Sequence, residues 1–100
     1  MNINLVTDRD IRALKKKWFG VDRATDVISF GDIHDPFAEI YVSVDTAKRQ
    51  AVSRGVSIED EVLRLIIHGI AHLEGHNDTD IKAFAKMRER EWQLLLKAIS

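Results

Sequence analysis

The sequence predicts a single α+β domain on three observations. Its 100 residues are enough to close one hydrophobic core and too few for a second independent one. Three short stretches carry the alternation or the β-branched and aromatic content of strands. Elsewhere apolar residues recur at helical spacing between caps. No repeat, linker or low-complexity segment divides the chain, so residues 1–100 are read as one domain.

Ile3-Asn4-Leu5-Val6 alternates like a strand, and Thr7 with Asp8 offers side-chain oxygens to cap a helix. In that helix Ile11, Leu14 and Trp18 share a face, and Gly20 ends it. Thr25–Phe30 and Glu39–Val44 read as two strands that pair, joined by a polar loop holding Pro36, the only proline. Asp45 serves as the cap of a helix through Arg54 that stops at Gly55. Ser57 with Asp60 resembles a capping box for the next helix. There Val62, Leu65, Ile66, Gly69, His72 and Leu73 recur at helical spacing, apolar at one end and histidine-bearing at the other, until Gly75. A last helix opened by Thr79 or Asp80 brings Ile81, Phe84, Arg88, Trp92, Leu95 and Ile99 together and is amphipathic apart from Arg88.

Composition narrows the chemistry. The apolar fraction is 45% and the charged fraction 31%, as in an ordinary soluble protein, and no stretch approaches the roughly 18 apolar residues of a membrane span. The N-terminus lacks the marks of an export signal, so a cytoplasmic location with no membrane contact is expected. With no cysteine, any metal must be held by imidazole and carboxylate. The net charge of -1 excludes nothing, because a basic surface can be local. Basic residues gather at Arg9, Arg12, Lys15, Lys16, Lys17 and Arg23 and again at Lys48, Arg49 and Arg54. Taken singly, each reads as a solvated helix face.

The segment His68-Gly69-Ile70-Ala71-His72-Leu73-Glu74-Gly75-His76-Asn77-Asp78 carries the chemistry. His68 and His72, four apart on a helix, stack on one face within reach of one cation. Gly75 can take the left-handed conformation that folds the following chain back over the last turn. That return brings Asp78 in as a carboxylate ligand, with His76 in the same turn as the alternative. The expected cofactor is a divalent metal, zinc for preference. A zinc peptidase would carry a glutamate general base directly after the first histidine, where this chain has Gly69. Glu74 and Glu39 are carboxylates able to assist, although surface roles suit them better. Two imidazoles, a carboxylate and open positions suffice to bring the pKa of water towards neutrality and to polarise a phosphoryl or carbonyl oxygen.

His68-Gly69-x-x-His72-Leu73-x-Gly75 resembles the signature of the YbeY family, metal-dependent endoribonucleases of ribosomal RNA maturation and ribosome quality control. Asp22-x-x-Thr25-Asp26-Val27-Ile28-Ser29-Phe30 resembles that family's Thr-Asp-Val-Leu-Ser-Phe strand, and Glu39-Ile40-Tyr41-Val42-Ser43 its next strand. The three segments agree in order and spacing, so the likeness covers nearly the whole chain. It implies a small mixed sheet covered by helices with the metal helix central, and hydrolysis of single-stranded RNA, ribosomal RNA or the ribosome being the expected partner. The chain departs from the family in three ways. Asp78 stands where the third histidine ligand is usual, and Phe19 stands in register with an arginine that holds RNA phosphate. The family's leading strand and helix also precede the point where this chain begins, so a shortened, divergent member is expected. His68, His72 and Asp78 are thereby assigned to the metal, and Lys17 and Arg23 are the nearest candidates for phosphate; no residue is assigned a catalytic role beyond these. Behind the RNA-cleaving enzyme stand a catalytically silent, metal-binding, ribosome-associated module and then a zinc peptidase.

Overall fold

The computed structural model describes residues 1–75, 89, 90, 93 and 94, and the elements are those of the described residues. β1 (Asn2–Val6) runs into Thr7, whose hydroxyl accepts the Asp10 N–H at 3.2 Å and opens α1 (Asp8–Phe19). Gly20, at φ 69°, closes it with its N–H on the Lys16 carbonyl, the left-handed cap that a side chain would oppose. β2 (Val27–Phe30), β3 (Glu39–Ser43), α2 (Val44–Arg54) and α3 (Ile58–Leu73) follow. The last predicted helix falls largely outside the described residues.

Several boundaries differ from expectation: β3 ends at Ser43 and Val44 already opens α2, and α3 ends at Leu73 with Glu74 rather than Gly75 as its cap; two further differences have a local cause. Ser43 rather than Asp45 caps α2: its hydroxyl accepts the Thr46 N–H at 3.3 Å. Asp45 already lies in the first turn, where its carboxylate accepts the Asp8 N–H at 2.9 Å and ties the starts of α1 and α2 together. The second strand begins at Val27 rather than Thr25, because Asp26 turns its carboxylate onto the Val27 N–H at 2.8 Å, a local bond that competes with strand geometry.

The sheet order is β1-β3-β2, with β1 parallel and β2 antiparallel to β3. The register puts Val27, Ser29, Ile40 and Val42 on one face with Ile3 and Leu5, and Ile28, Phe30, Tyr41 and Asn4 on the other. α3 covers the first face, where Ile40, Val42, Leu65 and Leu73 form the core. It is central: from Glu61 to Glu74 no residue is exposed, the mark of a helix surrounded on all sides. α1 covers the second face, with Ile11 fully buried and Phe19 stacked on Phe30 at 5.9 Å.

Both amphipathic patterns near the N-terminus are buried only in part. Ile3 and Leu5 are exposed because β1 is an edge strand reaching past the helices on their face. Trp18 is 60% exposed, its ring meeting Phe30 edge-on rather than entering the core.

Candidate active site

α3 begins on Ser57, whose hydroxyl accepts the Asp60 N–H at 3.1 Å, and its last two turns carry His68 and His72. One helical turn brings the rings to a centroid separation of 4.6 Å, inclined at 70°, with the two Nε2 atoms 3.0 Å apart, a distance at which one ring hydrogen-bonds the other. Nitrogens bound to one cation at about 2.0–2.1 Å lie roughly 2.9 Å apart at a right angle and roughly 3.4 Å apart in a tetrahedron. The observed spacing falls in that interval, so the pair fits a shared divalent ion. Among the described residues no set of three His, Cys, Asp or Glu gathers there, and both Asp78 and His76 lie outside the described residues.

Gly69 lies between the histidines and has a steric reason. A Cβ at this position would sit 2.9 Å from Ile40 Cγ2 and 3.0 Å from Ser29 Oγ, while the Ser29 hydroxyl donates to the Gly69 carbonyl at 2.9 Å. α3 therefore rests directly on β2 and β3 through a position where any side chain would be overpacked. A glutamate base after the first histidine is excluded by packing, which removes the peptidase arrangement.

His68 and His72 open into a cleft of about 350 Å³. Thr25, Asp26, Val27, Ile28 and Ser29 form one wall, and Lys15 and Phe19 of α1 form another. Of these, Val27, Ile28 and Ser29 are consecutive residues of β2, as a strand edge contributes, since a strand face would contribute alternate ones. The cleft thus runs along the edge of β2 that faces away from β3, with α1 and α3 reaching round from opposite faces of the sheet. Both oxygens of Asp26 are engaged, one by the Val27 N–H and one by the Gln50 amide at 3.2 Å.

The other sequence candidates are dispersed. Lys17 holds its ammonium over the Trp18 ring, 5.2 Å from the centroid, and does not line the cleft. Arg23 borders a separate groove of about 710 Å³ with Asp8, Arg9, Arg12 and Asp22. There Arg12 is paired with Asp22 at 2.7 Å, and each partner stabilises the other's charged form, lowering the Asp22 pKa and raising that of Arg12. Glu74 is held by the Arg90 guanidinium at 2.9–3.0 Å. Glu39 accepts the Tyr41 hydroxyl at 2.6 Å, which raises the Tyr41 pKa. Neither glutamate lines the cleft. Lys15, Asp26 and Ser29 are not singled out as site residues by the sequence; only the placement of α1 and α3 on opposite faces of the sheet, around the edge of β2, brings them to the histidines.

Two imidazoles aimed at one point in an open cleft are the kind of centre that small hydrolases use. The family model for endoribonuclease YbeY matches residues 1–99. The endoribonuclease YbeY of Thermus thermophilus is 45% identical over 100 residues, spanning 90% of this chain and 72% of its own. That of Deinococcus radiodurans is 48% identical over 84 residues, spanning 77% and 54%. A chloroplastic endoribonuclease YBEY of Arabidopsis thaliana is 37% identical over 105 residues, covering 97% of this chain but 18% of its own. The solution structure of TM1509 from Thermotoga maritima superposes with a TM-score of 0.61 at 31% identity, covering 97% of this chain and 71% of that one. The chain belongs to the endoribonuclease YbeY family.

Proposed function

We infer that the chain is a metal-dependent endoribonuclease that cleaves single-stranded RNA, with ribosomal RNA as its substrate in ribosome maturation and quality control. Membership of the endoribonuclease YbeY family supports the reaction class. The observation that carries the metal is the 3.0 Å approach of the His68 and His72 Nε2 atoms. Zinc suits two imidazoles joined by a carboxylate, and Asp78 is proposed as that third ligand, with His76 in its place as the alternative. A divalent ion there would supply Lewis-acid activation of water and of a phosphoryl oxygen. The chain's own residues fix the rest: Ser29 locks the Gly69 carbonyl and so the rotation of α3 about its axis, which sets where both imidazoles point.

Arg23, with Arg9 beside it in the neighbouring groove, and Lys17 on α1 are proposed to contact phosphates that flank the cut. The segment Asp22–Ser29 lines that groove with its first residues and the cleft with its later ones, so a single strand can follow it from one to the other. Among the described residues no helix is long and apolar enough to cross a membrane, and a cytoplasmic site of action is proposed.

The test joins elemental analysis of chelator-free protein to cleavage of labelled single-stranded RNA, with casein alongside. Expected are stoichiometric metal, a higher melting temperature with zinc and RNA cleavage, all lost in His72→Ala. Cleavage undiminished in His72→Ala would refute the assignment. Metal bound without cleavage of either substrate would replace the enzyme by a silent binding module.

A further inference from the structure

We propose that Lys15 holds the scissile phosphate in the cleft, its ammonium on a non-bridging phosphoryl oxygen opposite the His68–His72 pair. This rests on the endoribonuclease reading and assigns it a residue. Among the described residues lining the cleft, Lys15 is the sole lysine or arginine. Neighbouring basic groups are directed elsewhere: Lys17 lies over Trp18, Arg12 is on Asp22, and Arg9 and Arg23 border the adjoining groove.

Lys15 is also prepared for an anion. Its ammonium lies 5.5 Å from the centroid of Phe19, one turn further along α1, and Phe19 is stacked on Phe30, which meets Tyr41 edge-on at 5.9 Å. A half-buried lysine resting on a ring that the sheet supports loses less freedom on binding than one extended into solvent. The carboxylate in the same cleft, Asp26, is occupied by Val27 and Gln50, and Lys15 forms no ion pair among the described residues, so its charge is available to a ligand. The ammonium presents three donors as a compact charge, which suits phosphoryl oxygens whose charge is redistributed during transfer. α1 and α3 lie on opposite faces of the sheet, so a phosphate between them is gripped from both sides of the β2 edge.

The experiment compares wild type, Lys15→Gln, Lys15→Arg and Lys48→Gln, the last a change on the exposed side of α2. Circular dichroism first establishes that all four are folded. Cleavage of a labelled single-stranded RNA gives kcat and KM, and anisotropy of that RNA on mixing gives the salt dependence of binding. Loss of one charge-stabilising donor is expected to lower kcat for Lys15→Gln by roughly 10²-fold. It should also reduce the slope of log affinity against log salt by about 0.7, one phosphate contact on a single strand. Lys15→Arg should recover most of both, and Lys48→Gln should match wild type. A Lys15→Gln variant within threefold of wild type in kcat, or with an unchanged salt slope, overturns the proposal. Failure of wild type to cleave overturns the endoribonuclease reading instead, and the salt slope then decides the Lys15 contact alone.

Discussion

Gly69→Ala opposes two effects of known size at the centre of the site. In a solvent-facing helix the change is favourable by about 1 kcal/mol, because alanine restricts the unfolded chain. Here the added methyl would lie 2.9 Å from Ile40 Cγ2, 3.3 Å from Ile40 Cδ1 and 3.0 Å from Ser29 Oγ. Carbon atoms rest about 3.5–4.0 Å apart, so the overlap with Ile40 is about 0.6–1 Å. Ile40 is fully buried and β-branched in the middle strand and cannot swing aside; Ser29 can rotate only by giving up its bond to the Gly69 carbonyl. Overpacking of this kind costs about 1–3 kcal/mol, and helix propensity returns about 1 kcal/mol. The expected net is a loss of about 1 kcal/mol, a fall in melting temperature of roughly 4–8 °C for a domain of this size. Urea unfolding followed by circular dichroism measures it, with an unchanged m-value showing that the denatured state is unaffected. A midpoint above that of wild type would mean that α3 does not rest on Ile40, and the steric argument against a glutamate at this position would fall with it.

The acid limb of the stability curve should carry the signature of Asp8. Ser43, Thr46 and Arg49 bond its carboxylate and hold its pKa at about 2 against an ordinary 3.8, so its contribution is complete above the ordinary value and is lost as pH falls towards 2. The shift sets an upper limit of about 2.5 kcal/mol, and with 30% of the side chain exposed screening brings it to about 1–2 kcal/mol. Asp8→Asn should therefore flatten the loss of melting temperature between pH 5 and 2, at about that cost near neutrality; an identical acid limb in the variant would refute the linkage. On α3, Glu61 is 1% exposed and is paired with both Arg54 and Arg64. Arg54→Ala with Arg64→Ala strands that buried carboxylate and should cost about 3–5 kcal/mol, whereas Glu61→Gln leaves behind arginines that reach solvent and should cost less. Chemical denaturation orders the two, and the reverse order would mean that Glu61 is not the buried member.

Most elements were legible because local chemistry specifies them. Thr7, Gly20, Ser57 and Gly55 act on groups within a few residues of themselves, and the structure uses each as a cap. Asp45 was misjudged because Ser and Asp both cap helices, and only the Asp8 N–H, 37 residues away in sequence, decides which of them is free to do so. Ile3, Leu5 and Trp18 show the same limit: periodicity identifies a face but not whether another layer covers it. At the site, the His68 and His72 pairing could be read directly since one helical turn fixes it. Lys17 and Arg23 were chosen by nearness in sequence, whereas the cleft is assembled by contacts between α1, β2 and α3, which nearness does not measure. Lys15 was visible only as one of a basic cluster.

The contact at Gly69 links the packing of the molecule to the chemistry it suits. Because no side chain separates α3 from Ile40 and Ser29, the helix lies low against the sheet, and the residues flanking that contact, His68 and His72, emerge at the rim of β2 with their Nε2 atoms converging. The same closeness denies the site a glutamate beside the first histidine. An amide substrate needs a base to accept a proton from water and an acid to return it to the leaving nitrogen, and the described walls of the cleft offer in place of that glutamate only Asp26, already bonded to Val27 and Gln50. A phosphodiester asks instead for neutralisation of its oxygens and alignment of the attacking group. Two imidazoles with their Nε2 atoms 3.0 Å apart on one side and a lysine on the other suit that demand, so the glycine that seats the helix also favours phosphoryl chemistry over peptide hydrolysis.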